Sequence, residues 1–72
     1  MEYLQLLQKA LAEEIQATRL YLACIAIAPP EDITELLELN ADETDHIAVI
    51  STLIYKHTGQ NIDYAAMVPG IE

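Results

Sequence analysis

Ile25-Ala26-Ile27-Ala28-Pro29-Pro30-Glu31-Asp32-Ile33 is the stretch that decides the fold. Neither proline ring has an N–H to donate into a helix, and Pro29 pushes Ala28 out of helical geometry. A helix arriving here must stop. The same prolines suit the first turn of a new helix, where those donors would be unpaired anyway. Glu31, Asp32 and Glu35 then complement the positive end of its dipole. Upstream, residues 3–28 contain no Gly or Pro and are rich in Leu, Ala, Gln and Glu, all strong helix formers. Downstream, residues 31–58 read as a second helix that ends with Lys56 and His57 in its last turn and Gly59 as a left-handed cap. Two long helices joined by so short a link make an antiparallel hairpin over residues 1–58. The remaining 59–72 form a tail, in which Asp63-Tyr64-Ala65-Ala66-Met67 suits one short helical turn before Pro69-Gly70. No segment alternates as a strand does.

Composition narrows the class. The 72 residues allow one small domain, and a 53% hydrophobic content is too high for a disordered acidic tail. Twelve acids against three basic residues give a charge of −9, which repels phosphate backbones and argues against nucleic-acid binding. No apolar run reaches the roughly 18–20 residues needed to cross a bilayer. Met1-Glu2-Tyr3 has no basic leader, and a single Cys24 forms no intrachain disulfide, so a reducing cytoplasm is expected. A chain this short without disulfides has a marginal core of its own. A metal, oligomerisation or both would remedy that.

Helical wheels locate the anomaly. With Leu4 at zero, Leu6, Leu7, Leu11, Ile15, Tyr21, Leu22 and Ile25 share one arc of the first helix. Glu14 falls at about 280°, inside that arc, whereas its neighbour Glu13 falls with the polar set at about 180°. On the second helix, measured from Ile33, Leu36, Leu37, Leu39, Ile47, Ile50, Leu53 and Ile54 share an arc. Glu43 lies inside it, at about 280°, and His46 near its edge, at about 220°. Folding about Pro29-Pro30 brings all three polar residues within one helical turn of the same height. The expectation is that they converge on the buried side of the hairpin.

A buried carboxylate is costly without a counter-charge, and Lys9, Arg19 and Lys56 lie on the polar sides. A metal cation remains. In Glu43-Thr44-Asp45-His46 the i, i+3 spacing puts carboxylate and imidazole on one face. One hairpin supplies too few ligands for a closed site. Two hairpins related by a twofold axis would supply four carboxylates and two imidazoles, enough to balance two divalent ions, the set used in di-iron and di-manganese four-helix bundles. The same dimer would enlarge the core.

Glu14-Ile15-Gln16-Ala17-Thr18-Arg19-Leu20-Tyr21, followed by Glu43-x-x-His46, resembles the ferritin-like, rubrerythrin-like di-iron carboxylate superfamily. Its members usually carry the set twice in one chain. With one set, this chain is more similar to the half-length, encapsulated-ferritin type, which dimerises to complete an all-α four-helix bundle. The resemblance implies that Glu14, Glu43 and His46 bind iron, two ions per dimer, with Glu43 bridging and Glu14 and His46 more terminal. It implies a ferroxidase that oxidises Fe(II) to Fe(III) with O₂ or peroxide, in iron storage or detoxification, and a surrounding shell protein as partner. Residues 59–72 lack the Gly-Ser-Leu-type segment that would address the chain to such a nanocompartment. Tyr21 reads either as a neighbour of the ligands or as an ordinary core tyrosine.

Other readings stay open on the residues alone. The same ligands suit manganese or a structural zinc. Without a metal, the chain would be an acidic hairpin that dimerises or docks on a partner. His57 faces inward but lies about 16 Å from His46, which makes it a capping or interface residue. Glu31, Glu35, Glu38, Asp42 and Asp45 form an outward stripe, and Cys24 reads as a small core residue. The apolar stretch 20–28 suggests assembly beyond the dimer.

Overall fold

The computed structural model describes residues 2–60, so the short turn expected within 63–67 lies outside the described residues. Helix α1 runs Tyr3–Ile27 and helix α2 runs Ile33–Thr58, with a 3₁₀ turn at Pro30–Asp32 between them. Among the described residues there is no strand. The two helices pack side by side as a hairpin.

Each boundary has a local cause. At the start, the Glu2 backbone N–H donates to Gln5 Oε1 at 3.2 Å, which satisfies a donor that the helix leaves orphaned. At the end of α1, Ala28 and Pro29 are both extended, with ψ of 149° and 150°, as the ring-before-residue clash requires. The second helix was expected from residue 31. Pro30, Glu31 and Asp32 instead wind a tighter turn, in which Asp32 N–H donates to Pro29 O at 3.0 Å, and α-helical geometry begins at Ile33. At the far end Gly59 takes φ +69° and donates its N–H to Tyr55 O at 2.7 Å, the left-handed cap expected there.

The core is small and lies toward the open end of the hairpin. Leu11 and Ile15 of α1 and Ile54 of α2 are buried, and Leu4, Leu7, Ile47 and Ile50 pack partly against them. Between Leu20 and Leu39, around the turn, no residue is buried. The wheels placed Leu6, Leu22, Leu37 and Leu39 on the inner side, yet all four are exposed, by 44–52%. An apolar arc of half a turn or more is wider than the strip one neighbouring helix can cover. The arc therefore contains two strips, one facing the other helix and one facing out. None of the described helices is long and apolar enough to cross a membrane.

Candidate metal centre

The edge where the inner strip meets the outer one can be followed residue by residue, and its Leu7 and Ile50 still touch the core. On α1, Tyr3, Leu7, Ala10, Glu14, Ala17, Tyr21 and Cys24 recur at alternating four- and three-residue steps. On α2, Leu39, Glu43, His46, Ile50, Leu53 and His57 do the same. A 3.5-residue period keeps side chains on one side of a helix over many turns. Two contacts show that both rows share one face of the hairpin. At mid-height His46 Nδ1 lies 3.4 Å from Glu14 Oε2. At the open end the rings of Tyr3 and His57 meet edge to face, with centroids 5.5 Å apart. The sequence reading of His57 as an inward residue does not hold, since His57 is exposed; its separation from the site, eleven residues along α2 from His46, does. The cap itself is made by Gly59 rather than by His57.

Glu14, Glu43 and His46 do converge. One ligand atom from each lies within 4.8 Å of the others, and this is the one such group of three among the described residues. Helix geometry explains the convergence. Glu43 and His46 are one turn apart on α2, and Glu14 stands at their height on α1 because both arms are measured from the same proline break.

Their burial corrects the expectation of a buried site. Glu14 is 26% exposed and His46 57% exposed, and the structure contains no buried charged side chain among the described residues. The three sit on the rim of the interhelical contact, in the outward row, and not inside it. A single hairpin thus presents the cluster to solvent while keeping its apolar neighbours in that row, Leu39 and Tyr3, exposed as well.

The other sequence candidates are placed as follows. Tyr21 is half-buried in the same row as Glu14, two turns toward the hairpin turn. It makes no hydrogen bond to the cluster in the single chain. The acidic stripe Glu31, Glu35, Glu38, Asp42 and Asp45 is exposed throughout. Cys24 is not a core residue; it is free and exposed, in the same row as Glu14. One polar feature escaped the sequence reading. Asn40 Oδ1 is buried against the hairpin without a hydrogen-bond partner. Its signal was its place on the inner arc of α2, at about 340° from Ile33.

The donor set fits a divalent metal ion. Carboxylate oxygens and imidazole nitrogens bind such ions at about 2.0–2.2 Å, so adjacent ligand atoms stand about 3 Å apart and opposite ones about 4.2 Å. The Glu14–His46 separation of 3.4 Å already lies in that range. The widest separation, 4.8 Å, needs a side-chain adjustment of only about half an ångström. No protein family, curated protein or solved structure matches this chain.

Proposed function

We propose that this chain is a di-iron carboxylate protein, with a ferroxidase site formed between two copies of the hairpin. The observation that carries the reading is the convergence of Glu14, Glu43 and His46 in one row of half-buried and exposed residues at the rim of the hairpin. A ligand cluster meant for one chain would be enclosed by that chain. This one faces outward, where a second copy can complete it.

Stacking two such rows supplies four carboxylates and two imidazoles at one height, and four negative charges balance two divalent ions. A second copy seated on this row would also cover the exposed Leu39 and Tyr3, which would add to the three buried core residues found among the described residues. Iron supplies the redox step: two Fe(II) ions release one electron each, and O₂ accepts both with two protons to become hydrogen peroxide. Glu14, Glu43 and His46 would hold the two ions close together, and the surrounding apolar row would limit water access. The assignment of all three side chains as iron ligands follows from the resemblance, as does the choice of iron over manganese or zinc.

The test is metal analysis of the purified full chain together with aerobic addition of Fe(II). The reading expects about one iron per chain, Fe(III) absorbance on aeration, and stoichiometric O₂ consumption. Manganese or zinc in its place would keep the site and remove the ferroxidase. Failure of any transition metal to bind after reconstitution would leave the acidic interaction hairpin as the correct reading.

A further inference from the structure

The face of α2 turned away from α1 carries its chemistry in a fixed order. Between about 100° and 200° around the helix from Ile33, Glu35, Glu38, Asp42 and Asp45 come first, Val49, Thr52 and Leu53 follow, and Lys56 closes the series. All but half-buried Leu53 are exposed, Val49 by 62%. Ala48, Val49, Thr52 and Leu53 line an open apolar groove of about 260 Å³. Thr52 donates its hydroxyl to Ala48 O at 2.9 Å, which leaves its methyl for the groove. Val49 packs neither in the hairpin core nor in the metal row, and Val is a poorer helix former than Glu or Lys. An outward position held by Val therefore calls for a reason outside the single chain.

We infer that this face docks a basic amphipathic helix of a partner protein, which seats one apolar side chain in the groove and lays its cationic residues along the acidic stripe. The groove is smaller than the roughly 300–1,000 Å³ of small-molecule sites, so it suits a single side chain. Charge selects the rest of the occupant. The four acids begin about 6 Å from Val49, at Asp45, and end about 21 Å away, at Glu35. A helix lying along α2 meets them with Arg or Lys at steps of 4, 7, 11 and 14 residues from its apolar anchor, all on one face. Lys56 stands about 10 Å beyond the groove on the other side and repels a basic segment laid the wrong way. The order acid, groove, lysine thus sets the direction of the partner as well as its sign. Nucleic acid and anionic membrane are repelled by the stripe. A second copy of this chain, itself at −9, offers only Lys56 on this face against four acids. The contact needs no metal and is separate from the proposed iron site.

The probe is a synthetic helical peptide with one Leu anchor and Arg at those four steps, labelled and titrated with the full chain in chelator. Fluorescence anisotropy reads the Kd, and circular dichroism checks that each variant keeps its helicity. Wild type should bind this peptide about tenfold more tightly than the same peptide with Ser for Leu, the worth of one partly buried apolar side chain. It should also prefer it to a peptide with the Arg residues placed on the Lys56 side of the anchor. Glu38→Gln with Asp42→Asn should weaken binding about fivefold and flatten its salt dependence. Val49→Glu is the decisive variant. It adds an acid, so plain counter-charge attraction would tighten binding, whereas loss of the groove should weaken it about tenfold. Tighter binding by Val49→Glu overturns the inference, and so does equal binding of the Leu and Ser peptides. Wild type that self-associates, and whose native mass falls on Val49→Glu, would make a second copy the occupant and overturn it as well. Because metal is chelated throughout, failure of the iron site leaves each of these outcomes unchanged.

Discussion

Replacing Glu43 by Gln should stabilise the protein without metal and destabilise it with metal. The substitution keeps shape and removes one charge. In the wild type the carboxylate oxygens of Glu14 and Glu43 come within 4.8 Å. Two unit charges at that distance repel by about 0.9 kcal/mol in water and about 3.5 kcal/mol at the effective dielectric of a protein surface. Glu14 is 26% exposed and His46, beside it, 57% exposed, so the lower part of that range applies to the single hairpin, about 1 kcal/mol. Closure of the proposed dimer would add two more carboxylates and remove water, which would only increase the repulsion. For a domain of this size 1 kcal/mol corresponds to about 4–8 °C in Tm. Metal reverses the order, because a ligand present at one hundred times its Kd stabilises the folded protein by about 2.7 kcal/mol, and the variant has lost a ligand. The assay is thermal unfolding followed by far-UV circular dichroism at one fixed chain concentration, with chelator and with saturating Fe(II) under argon. The expected result is a higher Tm for Glu43→Gln in chelator and a lower one with iron. A variant that melts below wild type in chelator would refute the reasoning, since Glu43 would then be a structural hydrogen-bonding group and not a ligand held in wait.

His46→Ala should abolish metal retention on equilibrium dialysis, while His57→Ala, which removes only the ring contact with Tyr3, should bind the same amount as wild type. Leu11→Ala deletes a fully buried side chain from a core with three buried residues among the described residues and should cost about 2–5 kcal/mol in urea unfolding, enough to threaten folding of the apoprotein. Gly59→Ala should cost about 1 kcal/mol in the same assay. Nothing lies within 4 Å of the added methyl, so the whole effect would come from the φ of +69°.

The hairpin itself could be read from local signals. Pro29-Pro30, the unbroken helix formers on either side and Gly59 each act on their own few residues. Each produced the boundary expected, apart from the 3₁₀ turn that delays α2 to Ile33. The ligand cluster could be read for a related reason. Helix rise and period are set by backbone hydrogen bonding, so the height and bearing of Glu14, Glu43 and His46 follow from counting residues from the turn. The wheels failed at depth. They showed Glu14 and Glu43 inside an apolar arc and took the arc as one buried face. In fact the buried residues of α1, Leu11 and Ile15, lie toward one side of its arc, at about 340° and 20° from Leu4, and Leu6, Leu39 and His46 are left exposed.

Chain order alone thus determined two helices, their antiparallel pairing and the common height of three ligand side chains, because all of these depend on interactions within a few residues. Packing decided how each helix is rotated about its axis against the other. That rotation depends on how the side chains around Leu11, Ile15 and Ile54 interlock across the hairpin, which no local pattern records. It turned Glu14, Glu43 and His46 from the inside of one chain to its rim. A site that counting placed in a core became a cluster at the edge of the single hairpin.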